Sequence, residues 1–425
     1  MKPLLSIDAV RTAVQQLPDN GLAAARLAAL TRLDADGLPT ATHEDWKYTD
    51  LTRIVDVSNR WLAAGATTMP VADAAVAAIT DQFAASWLVI RNGMVDARSI
   101  AKFAQSDVRI DLLSASDKAL ECDAPLSGLN VALLQDGLAI RIPANIEHAG
   151  TVGLLFIDHA AADVGVSQAR IVIELEGGSA ADFIEYHSST GDAAHYANTV
   201  IELRLADGAR CNYVRVQDRQ AGHDQTGRLT ATLGADSRLQ HAAFDLGGNL
   251  VRNDLDIKLV GRGSATSFSG LYLAGREQHV DNHTRVDHLV GPTHSEQEYR
   301  GIAADAARCV WNGKAVVHRG ADGTNARQAN HNLLLSAAAE IDAKPELEIY
   351  ADDVKASHGT TIGELDQGAL FYLRTRGLDE AAARCLLMRA FAEKIVVRSP
   401  LPAIRQTISE KVAERVAALI VGDAK

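Results

Sequence analysis

The sequence is poor in the residues that mark several common classes of protein. Its four cysteines lie far apart and include no CxxC pair: Cys122, Cys211, Cys309 and Cys385. This spacing argues against a disulfide framework and a four-cysteine zinc site, and a reducing, cytoplasmic location is expected. Aromatic residues make up only 5% of the chain, so few side chains are available to stack on sugar rings.

Charge and hydropathy argue against two further classes. The 42 Lys and Arg residues are outnumbered by 54 Asp and Glu, the formal net charge is -12, and no basic run stands out. A nucleic-acid partner is therefore not expected. Pro3, Asp8 and Arg11 interrupt the N-terminal stretch, unlike a signal peptide, and no stretch approaches the roughly 18 apolar residues of a membrane span.

The common catalytic motifs are also missing. The chain contains no GxxxxGK[ST], no GxGxxG after a strand, no GxSxG and no HExxH. Any nucleotide chemistry must therefore come from another protein, and hydrolase chemistry has little support.

The chain does contain enough apolar residues, 47%, for a large core and two or three domains. Residues 7–33 predict two short helices broken at "PDNG", and residues 1–145 are interpreted as a helical and α/β region. From about residue 146 to residue 376 β-branched residues alternate with polar ones, which predicts strands.

A repeat runs through this β-rich core. A tight turn with a small residue recurs at intervals of 30, 28, 27 and 42 residues, at Ser179, Ala209, Ser237, Ser264 and Ala306. A near-constant repeat of about thirty residues is typical of a solenoid, in which each unit buries its apolar face against the next. The pattern favours a parallel β-helix over a two-sheet sandwich.

Residues 377–425 predict helices again. One carries Leu387, Phe391 and Ile395 on one face, and the next has apolar residues at four-residue steps from Ile404 to Ile420. Two interpretations stay open: a helical cap on the open end of the solenoid, or a docking module for a partner.

Histidines cluster between residues 279 and 294. Their spacings of four, five and six residues do not converge on one point in a solenoid, so we favour hydrogen-bonded histidines over a metal site at His279, His283, His288 and His294. Further on, the amides of "QANHNLLLS", Gln328 to Ser336, are expected to stack between coils.

The stretch "YADDVKASHGTT", Tyr350 to Thr361, combines acids, a lysine and a histidine. If it is one strand, Asp352 and Asp353 point to opposite faces and cannot form an acid/base pair. They are expected to be solvated or paired with Lys355. His358 is expected near the end of the last strand, where an uncovered coil invites a partner by strand addition.

Six stretches of this sequence resemble the SufB/SufD family of iron-sulfur cluster assembly proteins: "EDWKYTDL", "DNHTRVDHLVGPTHSEQEYRGI", "CVWNGKAVV", "QANHNLLLS", "KPELEIYADDVKASHG" and "LFYLRTRGL". They run in order from Glu44 to Leu378, and "WKYT" with "EIYADDVK.SHG" favours the SufD branch. The resemblance implies a right-handed parallel β-helix flanked by an N-terminal helical region and a C-terminal helical domain, acting as a scaffold and not as an enzyme.

The same resemblance implies partners and a site. SufB would pair with the end of the β-helix, and the ATPase SufC would bind the C-terminal helical domain, with Leu387, Phe391 and Ile395 as candidate contacts. His358 matches the histidine at the SufB interface, where a transient iron-sulfur cluster is built with a SufB cysteine.

Two departures from the family pattern bear on this site. Ala356 replaces a frequent family cysteine, which excludes sulfur ligation from this strand. Trp311 stands where the family commonly has phenylalanine, and Cys309 beside it is expected to be a small buried hydrophobe.

Alternatives remain at this point. His358 either ligates iron or only supports the interface, and the rival class is a carbohydrate-active β-helix enzyme with an acidic groove lined by aromatic residues. No cofactor is expected to bind this chain stably on its own. Flavin binding by the complex and homodimerisation without SufB are left open.

Overall fold

A computed structural model of the protein describes residues 4–66, 68–113, 120, 124–161 and 164–422, so Cys122 lies outside the described residues. The helices are α1 (Ile7–Gln16), α2 (Ala23–Asp36), α3 (Thr52–Ala63), α4 (Asp73–Thr80), α5 (Ala97–Ile100), α6 (Pro125–Ala132), α7 (Gln367–Thr375), α8 (Glu380–Val396) and α9 (Arg405–Gly422). In these residues no helix has the length and apolar character needed to cross a membrane.

The strands begin with β1 (Ser86–Arg91), β2 (Met94–Val95), β3 (Arg109–Leu112) and β4 (Leu138–Ile142). The long strands follow: β5 (Thr151–His159), β6 (Gly165–Leu175), β7 (Ala180–Thr190), β8 (His195–Leu205), β9 (Arg210–Asp218), β10 (His223–Leu233), β11 (Arg238–Asp245), β12 (Leu250–Leu259), β13 (Ala265–Ala274), β14 (His279–His288), β15 (His294–Ala303), β16 (Arg308–Val317), β17 (Thr324–Leu334), β18 (Glu340–Ile349) and β19 (Val354–Gly363).

These strands wind into a parallel β-solenoid of about seven turns. In the described part of the chain, sheet A has the order β19-β17-β15-β13-β11-β9-β7-β5-β1-β2 and sheet B the order β18-β16-β14-β12-β10-β8-β6-β4-β3. Consecutive long strands alternate between the two sheets, and each pairs in parallel with the strand two positions along the chain. The predicted β-helix is confirmed, and the two-sheet sandwich is excluded.

The predicted repeat is present in the structure, but its last predicted member, Ala306, is wrong. The small position lies at the start of each sheet A strand, just before it or at its first residue. After Ser264 this position is occupied by Thr293 and Thr324, because Ala265 pairs with His294 and His294 with Asn325. Each threonine hydroxyl donates to the carbonyl three residues earlier, as Ser179 does (3.2, 2.7 and 2.6 Å). Ala306 instead lies in the turn before β16, which belongs to sheet B.

The solenoid interior is built from alternate residues of both sheets. On sheet A, Phe183 and Tyr213 stack in neighbouring coils with ring centroids 5.9 Å apart. On sheet B, Ile201, Leu203 and Leu229 lie in the same core. Because the coils are in register, equivalent residues form columns along the solenoid axis.

The C-terminal helices cover the outer face of sheet A, so the interpretation of a cap on the open end is wrong. Val214, Phe244 and Leu271 point outward from sheet A and pack against residues of α8 and α9 such as Met388 and Val412. A sheet that is apolar on both faces requires such a covering layer. The helical segment begins at Gln367, ten residues before the predicted boundary at 377.

Most helices of the N-terminal region pack against sheet B, and α4 packs on the outer face of sheet A. Helices α1, α2, α3 and α6 form a third core with outward residues of sheet B, among them Tyr196 and Leu250. Strands β1 and β4 already pair with β5 and β6, so the two sheets start before residue 146.

The segment "EDWKYTDL" anchors this region to the solenoid. The Arg252 guanidinium lies 3.8 Å from the centroid of the Trp46 ring. The Thr49 hydroxyl donates to Asp281, and Arg252 Nη1 donates to the same carboxylate at 2.8 Å. This contact joins two of the stretches on which the family resemblance depends.

Candidate functional site

The solenoid ends in two uncovered strands. In the described residues β19 pairs only with β17, and β18 pairs only with β16, so each has one free edge. Apolar side chains are exposed there: Ile349, Tyr350 and Ile362 are 44%, 57% and 45% exposed. A free edge of parallel strands offers unpaired backbone groups to another chain.

His358 lies in the middle of β19 and not at its end as predicted. It pairs with Gln328 of β17, which is only 5% exposed and faces the interior. His358 is therefore the last member of an interior column whose earlier members include Tyr213, His241, Phe268, Gln297 and Gln328. It is nevertheless exposed, because it belongs to the terminal coil.

The amides of "QANHNLLLS" lie inside the last coils. Gln328 pairs in register with Gln297, as an amide stack requires. Asn330 and Asn332 instead form a local cluster, in which Asn332 Nδ2 donates to Asn330 Oδ1 at 2.5 Å and the Tyr272 hydroxyl donates to Asn332 Oδ1 at 2.5 Å. The Thr360 hydroxyl of β19 donates to Asn330 Oδ1 at 3.3 Å, which shows that this side of β19 faces inward.

The two acids of the same stretch lie outside the strand. Asp352 and Asp353 are exposed in the turn before β19, so the predicted strand arrangement is wrong. Their backbone N–H groups both donate to Asp322 Oδ1, at 3.3 and 3.4 Å. Ala356 faces inward opposite Ala326, so the position of the family cysteine carries only a methyl group here.

The four clustered histidines point in different directions. His279 contacts the Thr49 hydroxyl at 3.0 Å, and His283 contacts Asp281 at 3.0 Å, both on the outer face of sheet B. His288 is bound at both nitrogens by Thr293 and Ser295, and burial lowers its pKa to about 4. His294 lies on the outer face of sheet A. In the described residues, no group of three or more His, Cys, Asp or Glu side chains is placed to hold a metal ion.

The cysteines in the β-rich core are buried. Cys211 and Cys309 lie in the solenoid interior at 2% and 0% exposure, and burial raises the pKa of both thiols. Only the thiolate binds metal or attacks an electrophile, so neither side chain is prepared to act as a ligand.

We expect iodoacetamide to leave Cys211 and Cys309 unmodified in the folded chain. Alkylation should be at least about a hundredfold slower than in urea, because the reaction needs an accessible thiolate. Peptide mapping by mass spectrometry measures both rates. Fast labelling of either residue in the native chain would contradict the burial described above.

The three residues of α8 that are predicted to bind a partner differ in how deeply they are buried. Ile395 is fully buried, while Leu387 and Phe391 are half-buried against the core beneath the C-terminal helices. The Arg300 guanidinium lies 4.8 Å from the centroid of the Phe391 ring. Among the described residues of this region, the large apolar side chains that are exposed are Phe371, Tyr372, Leu386 and Val397, at 72%, 56%, 47% and 54%.

A groove of about 590 Å³ crosses the outer face of sheet A. Its described lining contains two carboxylates, Glu147 and Asp182, two arginines, Arg210 and Arg238, and no Phe, Tyr or Trp side chain. It therefore differs from the acidic, aromatic groove that the carbohydrate-active interpretation requires.

Comparisons with known proteins agree on one family. Residues 156–391, more than half of the chain, match the family model "SUF system FeS cluster assembly, SufBD core domain". The chain is 28% identical to the iron-sulfur cluster assembly protein SufD of Escherichia coli over 91% of each chain. It is 29% identical to a SufBD family protein of Synechocystis over 93% of this chain and 92% of the relative. It is also 25% identical to SufD of Bacillus subtilis over 68% of this chain and 67% of that protein.

Proposed function

The chain belongs to the SufBD family of iron-sulfur cluster assembly proteins, and on that premise we propose that it is a scaffold subunit of the SUF machinery. It pairs with SufB through the open end of the solenoid and binds the ATPase SufC through its C-terminal helices. His358 contacts the nascent cluster at the SufB seam, which is the interface between SufB and the open end of the solenoid.

The observation that carries this proposal is the position of His358. It continues a column of interior side chains but has no coil above it, so a partner coil stacked on β18 and β19 would enclose it. The exposed side chains of Ile349, Tyr350 and Ile362 supply apolar area for the same contact.

The chemistry of the seam requires two chains. A neutral imidazole nitrogen is a suitable ligand for iron next to thiolate sulfur. One histidine cannot hold a cluster, and the thiols of Cys211 and Cys309 are buried in the solenoid interior. The family resemblance implies a SufB cysteine at this interface, so we assign the thiolate ligand of the nascent cluster to SufB and one imidazole ligand, His358, to this chain.

The pairing is tested by size-exclusion chromatography of the full chain with SufB and SufC. We expect one complex that contains all three proteins. Separate elution of this chain from SufB would contradict the proposal.

For SufC, we propose that the contact involves the exposed residues of α8 and not Ile395. Leu386→Glu should weaken SufC binding at least about tenfold, because a buried charge replaces an apolar anchor. Calorimetric titration of SufC into the chain measures the change. The matched control is Leu27→Glu on α2, which is 56% exposed in wild type and should leave SufC affinity unchanged. Equal affinity for both variants would place the SufC surface elsewhere.

A further inference from the structure

Gln328 lies next to His358 and has no role in the function proposed above. It stands directly across from His358 in the register of β17 and β19, and it is 5% exposed. Both polar atoms of its side chain are buried and have no hydrogen-bond partner among the described residues. A buried amide without a partner is unfavourable, so such a group needs an explanation.

Two amides of the last coils, those of Gln297 and Asn330, already have hydrogen-bond partners. Gln297, the next member of the column, donates its Nε2 to the Thr284 hydroxyl at 2.5 Å. Asn330 Oδ1 accepts from both Asn332 and Thr360. In this part of the described chain, Gln328 Oε1 is thus an acceptor without a donor, beside a histidine.

The two side chains are within reach of each other. Neighbouring strands lie about 4.8 Å apart, and residues in register point to the same face. The side chains of the column fill the interior of the coil that precedes His358. The imidazole ring therefore has Gln328 on its inner side, toward the preceding coil, and the open end of the solenoid on its outer side.

A histidine that binds a metal through one nitrogen carries a proton on the other, and a hydrogen bond from that N–H fixes the orientation of the ring. We propose that Gln328 is a positioning residue for His358. Its Oε1 accepts a hydrogen bond from the inner ring N–H, which directs the outer nitrogen toward the iron at the open end. This inference rests on the proposed function, because it assumes that His358 binds iron.

The test uses the anaerobic complex of the full chain with SufB and SufC, titrated with Fe(II). Gln328→Met keeps the side-chain length and removes the acceptor, and it should weaken Fe(II) binding by about tenfold or more. Gln328→Glu replaces the amide oxygen with a carboxylate oxygen, which is also an acceptor, and should retain most of the affinity. The matched control, Gln297→Met, makes the same change one coil further in and should bind Fe(II) like wild type.

A second readout reports on the ring itself. In the complex with ¹⁵N-histidine in this chain only, long-range nitrogen-proton correlation spectra give the tautomer of His358, whose signals are identified by their loss in His358→Ala. Wild type, Gln328→Glu and Gln297→Met should show one tautomer, and Gln328→Met should show a mixture.

Two results would overturn the inference: an unchanged tautomer in Gln328→Met, or equal losses of Fe(II) affinity in Gln328→Met and Gln297→Met. The second result would mean that packing of the column, and not a hydrogen bond, is responsible. If His358→Ala binds Fe(II) like wild type, the proposed function fails, and the tautomer in Gln328→Met still decides whether Gln328 holds the ring.

Discussion

Replacement of His358 by alanine should abolish most cluster formation while leaving the complex intact. Iron and sulfide recovered with the anaerobically isolated complex should fall at least about tenfold. Removing the hydrogen-bond partner of a metal-binding histidine lowers metal affinity about tenfold or more, and removing the histidine itself should lower the affinity at least as much. Assembly should survive, since the apolar area of the seam comes from other residues, including Ile349 and Ile362. The measurement is iron and sulfide content together with the visible absorbance of the complex.

The matched control for this experiment is Thr360→Ala. Thr360 lies two residues along β19 and faces the same side as His358, but its hydroxyl is already bound to Asn330. We expect nearly normal cluster content in this variant. A normal cluster in His358→Ala would make His358 an interface residue only and would assign all cluster ligands to SufB.

The second large effect concerns stability. Asp281→Ala should lower the free energy of unfolding by about 3 kcal/mol, the low end for breaking a buried ion pair, because Arg252 loses one of its two carboxylate partners and keeps Asp254. The side chains of Asp281 and Arg252 are 0% and 2% exposed, and their atoms are 2.8 Å apart. Without Asp281, the Thr49 hydroxyl also loses its carboxylate acceptor, and the N-terminal segment loses one of its contacts with sheet B. Urea denaturation measures the difference.

The pH dependence of stability has a defined sign. Burial alone would raise the pKa of Asp281, but the charges of Arg252 and His283 outweigh it and hold the pKa below its usual value. The carboxylate therefore stabilises the fold above its unfolded pKa of about 3.9, and this contribution is lost as the pH falls toward the lowered folded pKa. The Asp281→Asn variant should lack this part of the acid sensitivity.

A control separates this effect from general loss of charge. Asp352 is exposed in the turn before β19, so Asp352→Ala should change the free energy of unfolding by no more than about 0.5 kcal/mol. Similar stabilities of Asp281→Ala and wild type would show that the ion pair under the N-terminal segment is not formed.

The solenoid could be predicted from the sequence because its repeat is local. Each coil needs one tight turn before its sheet A strand, and a small residue there leaves the thirty-residue spacing visible. The prediction failed at Ala306 because Thr293 and Thr324 occupy the turn position in the later coils. Like serine, each donates its hydroxyl to the backbone carbonyl three residues earlier. Counting threonine as equivalent to serine would have restored the spacing.

The position of the C-terminal helices was missed for a different reason. Their apolar faces were clear, but the sequence pattern does not say which surface they cover. The signal lay in sheet A, where Val214 and Phe244 break the expected alternation of apolar and polar residues. Strands with two apolar faces require a covering layer on the outside.

His358 could be selected only through the family resemblance, because one histidine in a strand carries no motif of its own. Gln328 was named only as part of an amide stretch, although it precedes His358 by 30 residues, the length of one coil. Register within a repeat is thus a usable guide to side chains that meet across coils.

The most direct test of the account is the hyperfine coupling between His358 and the cluster. The complex is assembled with ¹⁵N-histidine in this chain alone, its cluster is reduced to a paramagnetic state, and pulsed electron paramagnetic resonance detects nitrogen bound to iron. We predict a ¹⁵N coupling that disappears in His358→Ala. A cluster with full iron and sulfide content but no ¹⁵N coupling would contradict the claim that this chain supplies a ligand at the SufB seam.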